Sequence, residues 1–520
     1  MTELIPAKAT FAPDDEVAVE VRGDGRRVTL TQLGAVVAES DAIDGWARFG
    51  TLAPGGYGVH CAQAHSALDV LSDPFSRPRY GFVSHYEARR DPAGVTENAR
   101  RLHLNAVQFY DWMYRHARLL PPQDGFTDAL GQTLSLDTVR RLARELRHAG
   151  SLPLGYAAVY AVGKDDWPEW EAEGLYHADG EPWTLGDFLW IVDPSSERWL
   201  DHFVGDLQTA LELGFAGFHL DQYGAPKAAV RRDGRVVRLE RAFPALIERV
   251  HADAPEARLV FNNVNDFPTW TTARAPVDAV YFEVWPPHDR LGQLGTLITR
   301  ARSFAPDKPV IVAAYLEQYA ESDTSGRAAE RLQLATVFSH GGTSLLHGEE
   351  HAVLIDPYYV RHAEQSPESY ESTRRFYDFA VRHGDLLFDS AAVEVTGSLA
   401  CGVNQEIFVE AGVPVGVECA PGALWLRVVR GSRGLLVHLI DLTGQEDDRW
   451  SSAKRAGAPV TGVRLRVERA GAPVEIAFAD PDRQPVLAPL AVTLDERHAV
   501  VELPSFETWG MVWIKETEEV

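Results

Sequence analysis

The chain has 520 residues, of which 45% are hydrophobic and 10% aromatic, which is enough to bury more than one core and predicts several domains. Its 50 basic and 75 acidic side chains give a net charge of −25, so the protein as a whole repels nucleic acid and acidic membrane surfaces. This charge favours a neutral or cationic ligand.

The three cysteines, Cys61, Cys401 and Cys419, are far apart in the sequence and predict neither a disulfide framework nor a clustered zinc site. The first residues lack a charged start followed by an apolar run, so no signal peptide is expected. No segment approaches the roughly 18 apolar residues that a membrane helix needs. We therefore expect a cytoplasmic protein with no membrane partner; the sequence carries no signal for its oligomeric state.

Residues 1–72 contain short alternating segments, such as 17–21 and 27–30, between Gly and Asp turns, and these predict an N-terminal immunoglobulin-like β-sandwich. Two prolines within 72–78 mark the predicted end of this domain. In residues 391–520 helical periodicity is lost and strand-like runs return, for example 434–440 and 508–514. This segment predicts a C-terminal β-sandwich.

Between these flanks, residues 73–390 alternate short apolar segments with amphipathic helical ones. The segment 137–147 begins with an acidic residue and ends with a basic one, as suits the helix dipole. Eight alternations predict an α/β protein with a (β/α)8 TIM barrel. The eight predicted strands are 80–85, 106–110, 153–159, 217–220, 259–263, 279–283, 310–315 and 343–347.

Active sites of such barrels form at the C-terminal ends of the strands, so the predicted strands locate the candidate residues. These ends are rich in acids, amides and aromatic rings, which suits the binding of sugar hydroxyls and sugar ring faces and requires no cofactor. The candidates are Asp111, Trp112, Tyr156, Asp221, Gln222, Asn262, Asn263, Glu283, Trp285, Tyr315, His347 and Glu349.

Cleavage of a glycosidic bond needs two carboxyl groups, and Asp221 and Glu283 follow strands that can bring them together across the barrel mouth. A gap of about 5 Å predicts retention of configuration, and one of about 6.5 to 9.5 Å predicts inversion. Each carboxylate also has a structural interpretation: a helix cap or turn for an isolated acid, and for Asp111 a buried salt bridge to Arg115 or His116.

Other catalytic motifs are weaker. Residues 347–351 match the inverted zinc motif H-x-x-E-H, but that motif needs a helix and this segment follows a strand, so no metal is predicted. The sequence contains neither a glycine-rich phosphate loop nor a G-x-S-x-G elbow. The predicted strands contain no lysine for a Schiff base, which disfavours an aldolase or a lyase.

Three blocks resemble glycoside hydrolase family 66, which contains dextranases and cycloisomaltooligosaccharide glucanotransferases. They are 105–116, 214–224 and 280–285, and the resemblance covers about residues 78–390 and the order of β-domain, barrel and β-domain. It implies a retaining enzyme acting on α-1,6-linked glucan, with Asp221 as nucleophile and Glu283 as general acid/base. It also implies substrate binding by Asp111, with Trp112, His116, Tyr156, Gln222, Asn263 and Trp285 as further candidates.

Two departures from the family pattern shape the expected substrate. No signal peptide is seen, which favours short isomaltooligosaccharides over external dextran, and no inserted carbohydrate-binding module is found, which disfavours cyclisation. We expect an endo-acting, dextranase-like hydrolase. The alternatives are a transglycosylase that forms linear or cyclic isomaltooligosaccharides, and a non-catalytic carbohydrate-binding barrel.

Overall fold

The computed structural model describes residues 2–468, 474–495 and 497–515. Its centre is a sheet of eight parallel strands in which each strand pairs with the next one along the chain. A parallel bridge between Tyr80 and Leu345 joins the last strand to the first and closes the barrel. In order these strands are Tyr80–Val83, Ala106–Phe109, Leu152–Ala158, Gly217–Asp221, Arg258–Asn262, Ala279–Glu283, Val310–Ala313 and Thr343–Ser344. All eight predicted strands, and the (β/α)8 class, are confirmed.

Helices between the strands cover the outside of the barrel with their apolar faces. In Leu136–His148, which contains the predicted segment 137–147, the hydroxyl of Ser135 caps the first turn by accepting from the Thr138 N–H at 3.3 Å. The buried residues Val139, Leu142 and Leu146 follow the helical period and face the barrel. The other main helices are Ala93–Arg101, Glu197–Leu211, Leu239–Asp253, Leu291–Phe304, Asp323–Ser339 and Pro367–Arg382.

All-β sheets flank the barrel on both sides, as the sequence predicts. The N-terminal sheets consist of Glu3–Pro6, Val17–Arg22 and Trp46–Gly50, and of Ala35–Asp41, Arg27–Gln32, Gly55–Cys61 and Ala64–Val70. The main C-terminal sheet contains Val393–Glu394, Leu424–Gly431, Gly434–Asp441, Trp509–Lys515, Glu475–Asp480 and Gln484–Pro489, with Val415–Gly416 at its side. A second C-terminal sheet contains Ile407–Glu410, Arg464–Glu468, His498–Glu502 and Thr493–Asp495.

The predicted domain limits at 72 and 390 stay predictions, and residues 1, 469–473, 496 and 516–520 of the predicted flanking domains lie outside the described residues. Within the described part of the chain, no helix is long and apolar enough to cross a membrane.

Small hairpins rise from the C-terminal ends of the barrel strands. After the third strand, Ala161–Gly163, Thr184–Leu185 and Leu189–Ile191 form a three-stranded sheet, and after the fourth strand Ala228–Val230 pairs with Val236–Arg238. After the eighth strand, His347–Gly348, Glu350–Val353 and Ala363–Glu364 form another small sheet. Leu185, in the first of these sheets, lines a cavity at the mouth of the barrel.

Candidate active site

A cavity of about 300 Å³ lies at the carboxyl ends of the strands, where barrel enzymes carry their active sites. Among the described residues, its lining contains two carboxylates, Asp221 and Glu283, and neither lysine nor arginine. Phenol rings dominate the rest of the wall, supplied by Tyr110, Tyr156, Tyr223, Tyr281, Tyr315, Tyr358 and Tyr359. Such a cavity suits a neutral ligand that offers hydroxyl groups and flat C–H faces.

Asp221 and Glu283 converge on one side chain. Asp221, Asn262 and Glu283 are each the last residue of a strand, and the strand of Asn262 lies between the other two. The Asn262 Nδ2 atom donates to Asp221 Oδ1 at 2.7 Å and to Glu283 Oε2 at 2.9 Å. Because both distances start at the same nitrogen atom, the two carboxylate oxygens lie no farther apart than the sum of these two distances.

Each carboxylate accepts a second hydrogen bond from a phenol. The Tyr156 hydroxyl donates to Asp221 Oδ2 at 2.8 Å, and the Tyr315 hydroxyl donates to Glu283 Oε1 at 2.9 Å. Trp285, predicted from the sequence, also lines the cavity, hydrogen-bonds Glu283 through its side chain and packs against Tyr315 with ring centroids 5.5 Å apart. Both acids are therefore held by neutral donors.

Burial raises the pKa of both acids. For Asp221 the loss of solvent is the largest cause, partly offset by the hydrogen bonds from Asn262 and Tyr156. For Glu283 burial again raises the pKa most, and the charge of Asp221 raises it further, while bonds from Asn262 and Tyr315 lower it. Because the repulsion between the two charges is mutual, ionisation of either acid holds the proton on the other.

Asp111 follows the second strand with a left-handed backbone, at a φ of 46°. Burial, then the charges of Asp128 and Asp221, raise the pKa of Asp111 to about 7. Arg115, which the sequence suggests as an ion-pair partner of Asp111, instead packs over the Tyr114 ring and donates to the Thr127 carbonyl. Asp111 thus stands beside the cavity, within the electrostatic range of Asp221.

Four other predicted residues lie outside the residues that line the cavity. Trp112 is fully buried and donates from Nε1 to the Tyr156 carbonyl at 3.1 Å. Gln222 donates to the Asn262 carbonyl at 3.0 Å, and Asn263 donates to the Tyr281 carbonyl at 3.0 Å. These three side chains support the backbone behind the cavity. His116 is buried and packs edge-on against Phe188 at 5.6 Å.

The lining contains residues that the predicted substrate-binding set lacks, chiefly Asn262, Tyr315 and His219. Alternation along a strand could have found one of them: His219 lies two residues before Asp221, so both side chains point to the same face. The buried His219 ring accepts or donates a hydrogen bond at 3.1 Å with the Tyr80 hydroxyl, and burial lowers its pKa to about 3. It is a neutral part of the cavity floor.

The polar residues after the eighth strand form structural pairs. His347 Nε2 lies 2.7 Å from Glu330 Oε1, and His351 packs against the Tyr370 ring. Glu349 is ion-paired with Arg90 and accepts from the Ser84 N–H at 2.8 Å. The two histidines of the H-x-x-E-H segment therefore have separate partners.

Comparisons with solved structures show the fold. The structure of a cycloisomaltooligosaccharide glucanotransferase from Paenibacillus sp., in complex with cycloisomaltoheptaose, is similar with a TM-score of 0.88 and 19% identity, over 99% of this chain and 100% of that one. An α-amylase from Geobacillus thermoleovorans, in complex with acarbose, matches with a TM-score of 0.54 and 10% identity, over 85% of this chain and 99% of that one.

Sequence comparison links the chain to curated relatives. A cycloisomaltooligosaccharide glucanotransferase from Niallia circulans is 26% identical over 311 residues, which are 53% of this chain and 31% of the relative. A second protein with that name, from the same organism, is 27% identical over 294 residues, which are 49% of this chain and 29% of the relative. This chain thus matches less than a third of the length of each. The family described as glycosyl hydrolase family 66 matches residues 56–513, which is most of the chain, and the chain belongs to this family.

Proposed function

We propose that this protein cleaves α-1,6-linked glucan with retention of configuration, using Asp221 as nucleophile and Glu283 as general acid/base. The observation that carries the proposal is the single Asn262 nitrogen that bonds both carboxylates, at 2.7 and 2.9 Å. Retaining enzymes hold their two carboxyl groups about 5 to 5.5 Å apart, whereas inverting enzymes need about 6.5 to 9.5 Å to admit a water. Two acids that share one donor fit the shorter spacing.

In the first step Asp221 is ionised and Glu283 is protonated, and the repulsion between two charges in the cavity favours such a state with a single negative charge. A carboxylate oxygen of Asp221 bonds to the anomeric carbon while the bond from that carbon to the glycosidic oxygen breaks. The leaving oxygen takes the proton of Glu283. The products of this step are a glycosyl ester of Asp221, a charged Glu283 and a shortened glucan.

In the second step Glu283 acts as base. Esterification removes the charge of Asp221, so the repulsion that raised the pKa of Glu283 is lost. Glu283 can then stay ionised until it takes a proton from the acceptor. Glu283 takes the proton of the acceptor hydroxyl, whose oxygen bonds to the anomeric carbon as the ester bond breaks. Water as acceptor gives hydrolysis, and a sugar hydroxyl gives transglycosylation.

The cavity wall and the names of the relatives support the proposed substrate. A lining of tyrosines without a cation favours an uncharged sugar, for which Tyr156 and Trp285 in the lining, with Asp111 nearby, are the proposed partners of the hydroxyls and the ring face. Both curated relatives are named cycloisomaltooligosaccharide glucanotransferases, which supports α-1,6-linked glucose and favours transfer as well as hydrolysis. Short isomaltooligosaccharides are the substrates we expect to be used best.

The test is the anomeric form and the length of the first products. Isomaltooligosaccharides of graded length, dextran, starch and cellulose fragments are each incubated with the enzyme, and the new reducing ends are followed by proton NMR. We expect α-anomers from the α-1,6-linked substrates, together with transfer products longer than the substrate. β-Anomers would contradict retention, and tight binding without turnover would favour the non-catalytic barrel.

A further inference from the structure

We propose that Asn262 is a positioning residue that sets the spacing of the two carboxylates and stabilises whichever of them carries the negative charge; this rests on the proposed roles of Asp221 and Glu283. It occupies the middle of three neighbouring strand ends, with one acid on either side. No other side chain in the described part of the chain is hydrogen-bonded to both acids.

The orientation of the Asn262 amide is fixed by the two acids. An amide NH₂ has two hydrogens, so each carboxylate receives one. The other end of the side chain, the buried Oδ1 atom, has no hydrogen-bond partner among the described residues. Turning the amide over would bring this oxygen against both carboxylates at 2.7 and 2.9 Å, where lone pairs repel. The shared donor is kept although the carbonyl is left unsatisfied, which costs free energy.

The backbone of Asn262 is tied to the loop of the nucleophile. Gln222, which directly follows Asp221, is buried and donates from Nε2 to the carbonyls of Asn262 and Phe267, at 3.0 and 3.1 Å. Its own side-chain carbonyl accepts from the Gly224 N–H at 2.6 Å. The residue after the nucleophile thus holds the strand end that presents the shared amide.

A neutral shared donor suits a reaction in which the negative charge changes place. Asp221 carries the charge before attack, and Glu283 carries it once the glycosyl ester has formed. The Asn262 amide bonds both acids and therefore favours the charge in either position. A cation in its place would hold both acids ionised together, and Glu283 would lose the proton that the first step needs.

The experiment is the pH dependence of kcat/KM for the variants Asn262→Ala and Asn262→Asp, measured on an isomaltooligosaccharide. The pH profile of kcat/KM is expected to be bell-shaped, with an acid limb that reports Asp221 and a basic limb that reports Glu283. Loss of the donor raises the pKa of both acids, so both limbs move to higher pH, by about 0.5 to 1 unit in Asn262→Ala. Asn262→Asp keeps the shape of the side chain and adds a carboxyl group, so we expect a shift of both limbs that is at least as large. This variant tests the inference if Asn262→Ala does not fold.

An isomaltosyl fluoride separates the two acids, because fluoride leaves without a proton. On this substrate the limb of Glu283 is absent from kcat/KM, and the limb of Asp221 alone is expected to move in Asn262→Ala. Asn263→Ala is the matched control: its side chain bonds the carbonyls of Phe261 and Tyr281 and not the acids, so it lowers the unfolding temperature and leaves both limbs in place.

Two outcomes separate this inference from the proposed function. If Asp221→Gly is inactive while both Asn262 variants keep the wild-type limbs, the role of Asn262 is overturned and the catalytic pair stands. If Asp221→Gly retains wild-type turnover, the catalytic pair itself is wrong. Limbs that move equally in Asn262→Ala and Asn263→Ala would also overturn the inference, because they would reflect a general loosening of the strand end.

Discussion

Buried carboxylates stand at both ends of the barrel, and they differ in their partners. At the N-terminal end Asp69 receives two bonds from the guanidinium of Arg79, at 2.7 and 3.0 Å, and both side chains are 1% exposed. At the C-terminal end the side-chain partners of Asp221 and Glu283 among the described residues are amide, phenol and indole groups, all of them neutral. Asp69 is almost fully buried, whereas Asp221 and Glu283 are only partly exposed at the cavity, and among the described residues a cation partner is present at the N-terminal end alone.

Asp378, near the N-terminal end, shows what the cation does. Burial raises its pKa, but Arg374 and the hydrogen-bonded His103 outweigh burial, and the net pKa is lowered. Asp221 and Glu283 have no such partner, and their pKa values are raised. Arg374 and His103 therefore favour the charged form of Asp378, whereas the C-terminal acids can exchange protons near neutral pH. This difference fits a structural role for the first set and the proposed catalytic role for the second.

The largest effect expected is on turnover. Asp221→Gly removes the proposed nucleophile and Glu283→Gln removes the proposed acid, so we expect each to lower kcat by about 10³-fold or more on unactivated isomaltooligosaccharides. Both variants should unfold no earlier than the wild type, since each removes a carboxyl group whose charged form has no cation partner in the cavity. Azide should restore turnover of an isomaltosyl fluoride in Asp221→Gly and yield the β-glycosyl azide. If Asp221→Gly were active without azide, Asp221 would not be the nucleophile.

The opposite result is expected at the N-terminal end. Asp69→Asn leaves Arg79 buried without its counter-charge, which lowers the free energy of unfolding by about 3 to 5 kcal/mol. Denaturant titration measures this loss, and kcat of the folded fraction should not change. The control is Glu39→Ala, which breaks an exposed pair with Arg27 on the N-terminal sheet and should leave the unfolding midpoint in place. Equal midpoints for the two variants would show that the buried pair has no special role.

The sequence predicts this division of the barrel only in part. Apolar periodicity locates all eight strands, and the rule that sites form at C-terminal ends selects Asp221 and Glu283. For the pair Asn262–Asn263 it is harder to predict which side chain faces the cavity. Alternate residues of a strand face opposite sides, and two adjacent residues of the same type do not show which of them points inward. The register of the sheet decides that Asn262 faces the cavity and Asn263 faces the backbone of the next strand.

Residues in the loops after the strands are the least predictable. Trp112 and Gln222 have the side chains expected of a sugar site, yet both are buried and bond backbone carbonyls behind the cavity. A donor that could bind a hydroxyl can equally satisfy a buried carbonyl, and only the path of the loop decides between them. The ion pair at the N-terminal end is equally hard to predict from the sequence, since Asp69 and Arg79 belong to different predicted domains.

A stabilising change is expected at Asp111. The pKa of Asp111 is about 7 in the folded protein against an ordinary value of 3.8, so the unfolded chain ionises first as pH rises. The stability contributed by the protonated form is present below pH 4 and lost between about pH 4 and 7. Asp111→Asn stays neutral and should raise the free energy of unfolding by about 1 to 2 kcal/mol at pH 8 and by nothing at pH 4. A gain that is equal at both pH values would contradict this cause.

The smallest effects expected separate the two phenol donors. Tyr156→Phe removes the donor to Asp221, so the pKa of Asp221 rises and the acid limb of kcat/KM moves up by about 0.5 unit. Tyr315→Phe removes the donor to Glu283, so the pKa of Glu283 rises and the basic limb moves up by a similar amount. Because each phenol contacts one acid, each variant should move one limb and leave the other. The opposite assignment of limbs would reverse the roles of nucleophile and acid, whereas a shift of both limbs in each variant would mean that the pair titrates as one unit through Asn262.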